Sequence, residues 1–363
     1  MLKKLLPLIK VVAIFIFLYL FIVGIGAMGY SFKLFGKEFS ERILTTTASP
    51  LVGLFIGILA TSLVQSSSST TSIIVGMVAG GAISIEGAIP MVMGANMGTT
   101  ITNTLVSMGH ITNRTEFRRA FAAGTVHDFF NLITLAILFP LQLATGFLSK
   151  AAVAMAGMFE GIGCMKLGNP LKAATTPAIH FLADLVNNHP VLLLIIALLL
   201  TFAALAGIVK ILRSLVLDRV EAFFDQHLFK TIMRSLLFGA VLTFTVQSSS
   251  ITTSLIIPLV GAGLLTLRQV LPYTMGANVG TTITAILAAL STGSVAAITV
   301  SFAHLLFNIC GILMILPFPA FRQVPIRAAE WLADRSIENR FMPFVFVGLV
   351  FFAIPLALIL LTR

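Results

Sequence analysis

The strongest constraint on how this chain folds is an internal duplication of polar residues. Val64 to Ser72 reads VQSSSSTTS, and Val246 to Ser254 reads VQSSSITTS, 182 positions further on. Each copy is followed at the same distance by MGANMGTTIT or MGANVGTTIT, and later by HDFFN or HLLFN. Repeats of this kind indicate a structural unit that is present twice. The fold is therefore expected to contain two related halves, each with a row of hydroxyls and amides.

Both copies lie in strongly apolar sequence. Of the 363 residues, 58% are hydrophobic and 10% are charged, whereas soluble domains are about 25% charged. An all-α integral membrane protein is predicted, because helices satisfy their own backbone hydrogen bonds in lipid. The net charge of +10 is scattered over short loops and forms no basic patch, so nucleic-acid binding is not expected. The sequence indicates no cofactor and specifies no oligomeric state.

The serine clusters interrupt apolar arms that are too short to cross a membrane. The arms cover 51–64 and 70–81 in the first copy, and 233–246 and 251–263 in the second. Arms of this length give about 20 Å of helix, while the hydrocarbon core is about 30 Å thick. We therefore expect two re-entrant helical hairpins, 51–81 and 233–263, with QSSS at each tip. Irregular backbone at that depth requires a protein-lined cavity.

The other apolar runs are near the length of about 20 residues that crosses a membrane. They predict the following organisation: an N-terminal transmembrane helix (1–30), repeat 1 (51–146, with helices 89–108 and 119–139), an interfacial stretch with a linking transmembrane helix (147–212), repeat 2 (233–316, with helices 270–290 and 295–316) and a C-terminal transmembrane helix (341–363).

The number of crossings between the hairpins sets the relation of the two repeats. Three crossings are predicted if 149–188 lies at the membrane surface, and an odd number inverts the second repeat. If 149–188 crosses once, the repeats are parallel instead, but its charged residues favour the surface. With three crossings, the loops rich in Lys and Arg all lie on the same side of the membrane. These loops are at 3–10, 114–119, 210–234 and 322–340. Cytoplasmic loops carry such an excess, so the N-terminus is expected inside and the C-terminus outside.

The predicted tips can replace the water around an anion. The first N–H groups of each second arm have no helical partner, and the positive end of the helix dipole lies there. Serine hydroxyls and glutamine amides add further donors. The candidate anion ligands are Gln65, Ser66, Ser67, Ser68, Gln247, Ser248, Ser249 and Ser250. Hydroxyl and carbonyl oxygens also suit a hard cation, so the tips are expected to hold Na⁺ as well. Helix packing by small residues is the alternative, and the duplication disfavours it.

Asp128 is the one acidic residue predicted deep within a span, about 14 Å from the arginines that begin it. A carboxylate at that depth indicates a functional site, and Asn131 lies on an adjoining helix face. The second copy has Leu305 at the equivalent position, as expected for a cation site present in one half only. The alternative is a structural aspartate that is protonated or hydrogen-bonded. Asn96 and Asn278, in the two GAN motifs, either bridge helices or ligate the cation.

Several motifs resemble those of the type II sodium-dependent phosphate cotransporter family, also called solute carrier family 34. They are VQSSSSTTS, MGANMGTTITNT, EFRRAFAAGTVHDFFN, VQSSSITTS and MGANVGTTITAILAAL. The resemblance covers most of Leu51–Phe139 and Met233–Pro317. It implies uptake of inorganic phosphate coupled to Na⁺, by two inverted repeats in the lipid bilayer whose QSSS tips form the substrate and Na⁺ sites. The candidate sodium ligands are Thr71, Asn96, Asp128, Asn131, Thr253, Asn278 and Asn308.

The resemblance further implies that Asp128 distinguishes electrogenic members, because electroneutral relatives have glycine there. This chain departs from vertebrate members at His110 and Asn113, where they have Gln and Asp. It is also expected to lack their large disulfide-bonded extracellular loop and to end one span early. These departures resemble a compact bacterial-type member in the inner membrane.

Three rival functions remain from the sequence. One is transport of another tetrahedral oxyanion, such as sulfate or arsenate, because hydroxyl and backbone donors recognise geometry more than element. The second is a membrane-embedded serine hydrolase with His127 or His304 as its base, although no G-x-S-x-G motif accompanies the serines. The third is a regulatory or sensory membrane protein that transports nothing.

Overall fold

A computed structural model describes residues 2–36, 49–161, 170–223 and 228–362, together with residues 38, 41 and 44. The regular structure of these residues is helical and contains no strand. In chain order the helices are α1 (Leu2–Leu34), α2 (Pro50–Val64), α3 (Ser67–Ala79), α4 (Ile85–Gly98), α5 (Ile101–Met108), α6 (Arg114–Thr145), α7 (Phe147–Gly161), α8 (Pro170–Leu185), α9 (Pro190–Phe223), α10 (Ile232–Val246), α11 (Ser249–Gly261), α12 (Leu267–Thr292), α13 (Val295–Ile315), α14 (Pro319–Glu338), α15 (Met342–Val347) and α16 (Ile354–Leu361), with a π-helical segment, Gly348–Ala353, between the last two.

Six helical stretches in the described part of the chain are long and apolar enough to cross a membrane. They are Ile9–Leu34, Arg114–Thr145, Pro190–Ile211, Leu267–Thr292, Val295–Ile315 and Met342–Leu361. The chain is therefore an all-α integral membrane protein, as its composition predicts. The predicted interfacial stretch 149–188 contains α7 and α8, neither of which is among the six, and its residues 162–169 lie outside the described residues, as do the terminal positions 1 and 363.

The prediction of one continuous helix over 89–108 is wrong. Helix α4 ends at Gly98 and α5 begins at Ile101. The GTT sequence at the break is not the cause by itself, because the same three residues lie inside the continuous helix α12 of the second copy. Just beyond the break, Asn103 bonds to α11 of the other repeat, whereas the second copy has Ala285 at the equivalent position. The break therefore coincides with a contact for which the second copy has no polar side chain.

The second arm of each hairpin begins earlier than predicted, at Ser67 instead of 70 and at Ser249 instead of 251. The extra turn forms because the preceding serine caps the helix. The Ser66 Oγ accepts from the Ser69 N–H at 3.2 Å, and the Ser248 Oγ accepts from the Ile251 N–H at 3.4 Å. The glutamine before each cap is left-handed and ends the first arm, with φ of 54° at Gln65 and 57° at Gln247. Each link between the arms is thus two residues long.

The two repeats interlock. The first arms stay within their own repeat, α2 against α4 and α10 against α12. These contacts are backbone to backbone, because a Cβ at Gly57 would collide with the Met91 carbonyl and one at Gly239 with the Tyr273 carbonyl. The second arms cross over: α3 packs on α12 and α13, and α11 packs on α5 and α6. The centre of the molecule is therefore built from both halves.

Helix α14 was absent from the predicted organisation. It is amphipathic, with Ile326, Ala329, Leu332 and Ala333 buried at a spacing of three or four residues. It packs on α6, and its counterpart α7 packs on α13. A search for uniformly apolar runs does not detect such a helix, because its other face is charged. A bidentate ion pair between Arg118 and Asp334 holds α14 beside the start of α6.

Candidate functional site

Three of the eight candidate anion ligands at the tips are buried and have hydroxyls without a partner in the part of the chain that the structure describes. The side chains of Ser67, Ser68 and Ser249 are 3%, 4% and 4% exposed. Within the described residues, none of these three hydroxyls forms a hydrogen bond, and the N–H groups of Ser67 and Ser68 find no acceptor in the link before them. Donors that are held in place without partners are suited to an oxyanion.

The two tips meet in the structure. The Ser250 hydroxyl donates to the backbone carbonyl of Gln65 at 3.5 Å. This contact joins residues that are 185 positions apart in the chain. All eight candidate anion ligands therefore lie in two short segments that touch each other.

The two tip glutamines have different surroundings. The Gln247 Oε1 accepts from the Thr284 Oγ1 at 2.5 Å, and its Nε2 donates to the Phe244 carbonyl at 2.5 Å. The Gln65 side chain is exposed, and the Thr102 hydroxyl, which is equivalent to that of Thr284, has no partner. The Gln247 amide is therefore fixed, whereas the Gln65 amide remains available to a ligand.

The two candidate sodium-binding threonines occupy equivalent positions. The Thr71 hydroxyl donates to the Ser67 carbonyl at 2.7 Å, and the Thr253 hydroxyl donates to the Ser249 carbonyl at 2.7 Å. Each hydroxyl has a single proton, and that of Thr253 is shared between the Ser249 carbonyl and the Asn103 Oδ1, which is 2.9 Å away. Both threonine oxygens keep lone pairs, which can ligate a hard cation. Each threonine lies one helical turn beyond its tip.

The four candidate asparagines form one buried network with two histidines, and four of its bonds cross between the repeats. The Asn96 Nδ2 donates to the Asn308 Oδ1 at 2.9 Å, and the Asn278 Nδ2 donates to the Asn131 Oδ1 at 2.8 Å. The imidazoles complete the pattern. His127 bonds the Asn278 Oδ1 at 2.7 Å, and His304 bonds the Asn96 Oδ1 at 3.4 Å.

The network follows a simple exchange. The asparagine of each GAN motif bonds to the histidine and asparagine of the other repeat's HxxxN motif. A further bond, from the Asn96 Nδ2 to the Asn131 Oδ1 at 3.3 Å, closes the two halves into one chain of amides. The GAN asparagines therefore bridge helices. Their carbonyl oxygens retain second lone pairs, so bridging does not prevent them from ligating a cation.

Asp128 lies next to this network in sequence and has no hydrogen bond of its own. Its side chain is 1% exposed, and both carboxylate oxygens are buried without a partner. The nearby Thr100 hydroxyl donates instead to the Met97 carbonyl at 3.0 Å. An isolated buried carboxylate is costly, and either a proton or a bound cation compensates its charge. A cation site and a protonated structural aspartate are thus the two interpretations that fit this geometry.

Sequence reasoning missed Asn103. Its Oδ1 accepts from the Thr253 Oγ1 at 2.9 Å and from the Ser254 Oγ at 3.1 Å, and the residue is 2% exposed. It therefore connects a candidate sodium ligand of repeat 2 to α5 of repeat 1. A comparison of the two copies does not reveal it, because the equivalent residue is Ala285.

His110 and Asn113 serve a local role at the start of α6. The Asn113 Oδ1 caps that helix by accepting from the N–H groups of Thr115 and Glu116, at 3.1 and 3.3 Å. The His110 Nδ1 lies 3.4 Å from a carboxylate oxygen of Glu116. These contacts explain both residues as parts of a helix cap.

A serine hydrolase finds no support in the geometry. In the described part of the chain, the imidazoles of His127 and His304 bond to asparagine amides through Nε2, and their Nδ1 atoms have no partner. A serine nucleophile requires a hydrogen bond to its base, and neither imidazole makes one.

Comparisons with known proteins agree with these observations. The Na⁺/Pi-cotransporter family matches residues 20–168 and 189–316. Sodium-dependent phosphate transport protein 2B of Homo sapiens is 32% identical over 437 residues, which cover 94% of this chain and 63% of that protein. Sodium-dependent phosphate transport protein 2A of Mus musculus is 32% identical over 426 residues, which cover 96% of this chain and 67% of that protein. No solved structure matches the chain.

Proposed function

Because this chain belongs to the Na⁺/Pi-cotransporter family, we propose that it is a secondary transporter that couples the entry of Na⁺ to the uptake of inorganic phosphate. The observation that carries the proposal is the meeting of two tips at which the buried hydroxyls of Ser67, Ser68 and Ser249 have no hydrogen-bond partner among the described residues. The names of the relatives, which are sodium-dependent phosphate transport proteins, support the same substrates. The family consists of transporters, so the hydrolase alternative is set aside.

Phosphate is proposed to lie between the tips, within Gln65–Ser68 and Gln247–Ser250. The free hydroxyls of Ser67, Ser68 and Ser249, with the first N–H groups of α3, would replace the water that the anion loses on entry. The positive end of the helix dipole adds to this attraction. Because these donors recognise a tetrahedral oxyanion, sulfate and arsenate are the competing substrates, and their competition against radiolabelled phosphate distinguishes the three.

Na⁺ is proposed to bind close by, at oxygens of the network and of the turn beyond each tip. Asp128 supplies the only carboxylate among the candidate ligands. The others, Thr71, Asn96, Asn131, Thr253, Asn278 and Asn308, supply neutral oxygens. A hard cation prefers such a set. With an acid in one repeat only, transport is proposed to be electrogenic.

Two inverted repeats are proposed to alternate access to this site from the two sides of the membrane. The cavities at the two ends of α12 support the inversion. Ala79, at the end of the first hairpin, lines a cavity with Ser291 and Thr292 at the C-terminal end of α12. Gly263, at the end of the second hairpin, lines a cavity with Leu267 at the N-terminal end of α12. The equivalent loops thus lie at opposite ends of a helix about 39 Å long.

The loop charges support a bacterial inner-membrane protein whose N-terminus is cytoplasmic and whose C-terminus is outside. In this orientation the second hairpin's loop and the arginines at the start of α6 share the cytoplasmic side. The Gly263 loop lines a cavity with Arg118 and Arg119, which agrees with the expectation. Sensory function without transport is the remaining alternative, and uptake by purified protein in liposomes excludes it.

The direct test is phosphate uptake by proteoliposomes under an inward Na⁺ gradient. Ser67→Ala and Ser249→Ala are each expected to weaken phosphate affinity, because a lost hydroxyl donor costs about 1–3 kcal/mol, or roughly 5- to 150-fold. The matched control is Ser336→Ala, a buried serine of α14 whose hydroxyl donates to the carbonyl of Leu332. Uptake that depends on Na⁺ in the wild type, falls in both tip variants and survives in the control is the expected result. Unchanged affinity in both tip variants contradicts the proposed site.

A further inference from the structure

A second cavity with an anion-binding character lies away from the tips. It has a volume of about 350 Å³ and forms where three helices begin: α10 at Ile232, α12 at Leu267 and α14 at Pro319. Helix N-termini carry unpaired N–H groups and partial positive charge. At α14 the N-cap residue, Phe318, has no side chain that can accept those N–H groups. The volume exceeds that of several waters, at about 30 Å³ each, so a phosphate group fits.

The charged residues lining this cavity are all cationic. They are Lys230, Arg268 and Arg322, and no acid is among its lining residues. None of the three forms an ion pair within the described part of the chain. Like charges that share a concave surface repel each other and focus a positive potential. A bound anion would relieve this repulsion.

Two lining groups are buried and lack partners. The Ser235 side chain is 1% exposed and its hydroxyl has no hydrogen bond. The Arg322 Nε is likewise buried without an acceptor. A solvated surface patch explains exposed lysines and arginines, but it does not explain a buried hydroxyl and guanidinium nitrogen that are left unsatisfied. A ligand with several acceptor oxygens would satisfy both.

We propose that this cavity is a second anion site, separate from the transport site, which binds a phosphate group through Arg322, Arg268, Lys230 and the Ser235 hydroxyl. The phosphate group belongs either to free inorganic phosphate or to the headgroup of an anionic lipid. Both present the same oxygens to the same donors. The site faces the end of the molecule where Arg118 and Arg119 lie, because the adjoining cavity contains those two residues and shares Arg268 with this one.

The test uses a reporter inside the cavity, so that it does not depend on transport. Gln323 lines the cavity, and Gln323→Cys is made in a chain whose two native cysteines, Cys164 and Cys310, are replaced by alanine. In neutral detergent, the purified protein is labelled with an anionic and with a cationic methanethiosulfonate reagent. The anionic reagent is expected to react at least about threefold faster, relative to a free thiol, since one charge at about 7 Å in a water-like dielectric has this effect.

Matched variants assign the effect to the cavity. Arg322→Gln is expected to lower the anionic preference about threefold, whereas Arg340→Gln is expected to leave it unchanged. Arg340 is exposed, does not line the cavity and lies beyond the end of α14, more than about 20 Å from the reporter along the helix. Arg268→Gln is a second variant, in case Arg322→Gln does not yield monodisperse protein. Equal effects of Arg322→Gln and Arg340→Gln, or no preference for the anionic reagent in the parent, overturn the proposal.

Two further labelling experiments identify the source of the phosphate group. Inorganic phosphate added in detergent slows labelling if the free ion binds. Phosphatidylglycerol mixed into phosphatidylcholine liposomes slows labelling, with no phosphate added, if a headgroup binds. If neither phosphate nor phosphatidylglycerol slows labelling of the reporter cysteine, the proposal is overturned. Protection by phosphate must also persist when Ser67→Ala and Ser249→Ala are combined with the reporter, because its loss would mean that phosphate acts from the transport site.

Discussion

At the scale of single residues, a central polar network joins the two halves through amides and imidazoles that pair across the repeats. Buried polar groups of this kind are costly unless they are satisfied. Here the GAN asparagines and the HxxxN residues satisfy one another, as the bonds of Asn278 to His127 and to Asn131 illustrate. Among the described residues, the Nδ1 atoms of both histidines and the carboxylate of Asp128 remain without a partner. Asp128 directly follows His127 in the chain. A cation at Asp128 would therefore bind beside the junction between the halves.

Asp128→Asn is expected to weaken the response of phosphate uptake to an inside-negative potential. The substitution keeps the shape of the side chain and removes its charge, and each elementary charge that crosses the membrane contributes about 2.3 kcal/mol per 100 mV. The measurement is uptake into proteoliposomes at a fixed Na⁺ gradient, with and without a K⁺ potential imposed by valinomycin. Asp184→Asn, an exposed acid on α8, is the control. A full voltage response in Asp128→Asn shows that the carboxylate has no role in charge coupling.

Sequence reasoning reached most of this site because the site is duplicated. The tips and the GAN asparagines were visible as repeats, and Asp128 was visible as a lone acid in an apolar span. The exchange of partners between repeats was not visible, because it depends on how helices far apart in the chain pack. Asn103 was missed for a related reason, since its equivalent, Ala285, carries no polar group to match.

At the scale of helices, the two hairpins are held unequally. In repeat 2, the Tyr273 hydroxyl donates to the Thr252 carbonyl at 2.9 Å, and the hydroxyls of Thr243 and Thr252 bond at 2.7 Å. In repeat 1, Met91 replaces the tyrosine, and the Thr61 hydroxyl has no partner. Each bond contributes about 1 kcal/mol, so the hairpin of repeat 1 is expected to open more readily.

Hydrogen–deuterium exchange measures this difference. Peptides covering 66–75 are expected to exchange faster than those covering 248–257, because exchange follows the free energy of local opening. Tyr273→Phe is expected to raise exchange in 248–257 about fivefold, which corresponds to a loss of about 1 kcal/mol. Tyr19→Phe is the control, since the Tyr19 hydroxyl donates to the Ala174 carbonyl of α8, outside both hairpins. Equal protection of the two segments in the wild type contradicts the proposed asymmetry.

The ion pair between α6 and α14 gives a stability prediction. The Arg118 guanidinium, which donates to Asp334, holds the pKa of that carboxyl below its ordinary value. A lowered pKa in the folded state means that the stabilisation is present above the ordinary carboxyl pKa, about 3.9. It is then lost as pH falls through the folded value. Both side chains are about half exposed, so the contribution is expected to stay below about 1 kcal/mol.

Thermal unfolding of Asp334→Asn in detergent tests whether the stabilisation by the ion pair is lost as the pH falls. The variant is expected to unfold slightly below the wild type at pH 7, and the gap is expected to close as the pH approaches 3. Asp184→Asn, which lacks an ion pair in the described part of the chain, is expected to show no such convergence. A gap that widens on acidification contradicts the assigned role of Asp334.

Hydrophobic patterning predicted most helices but not their ends or their breaks. The apolar core of each span was visible, whereas α6 and α9 run on through charged residues to lengths of 32 and 34 residues. The break between α4 and α5 lies beside a contact with the other repeat, and its GTT sequence is no local signal, since the same three residues are helical in α12. Helix α14 is amphipathic, and its apolar face is buried by packing on α6. The sequence of α14 alone does not show which helix covers that face.

At the scale of the whole molecule, the interlocking of the repeats constrains how the protein can move. The second arms α3 and α11 each pack on helices of the opposite repeat, while α2 and α10 pack on their own. A change of access therefore requires the hairpin arms to slide against the other half, with the amide network as the shared centre. Such a movement exposes the tips to alternate sides only if the repeats are inverted.

The inversion gives the last prediction. Ser84 and Thr266 are exposed, equivalent residues that cap α4 and α12. Ser84→Cys and Thr266→Cys are made without the native cysteines, and each loses a comparable cap worth about 1 kcal/mol. In intact cells, a membrane-impermeant maleimide is expected to label Ser84→Cys from outside and to reach Thr266→Cys only after permeabilisation. The physical reason is the odd number of predicted crossings between the two loops, supported by their contacts with opposite ends of α12. Labelling of both positions from the same side means that the repeats are parallel, and alternating access by inverted halves is then excluded.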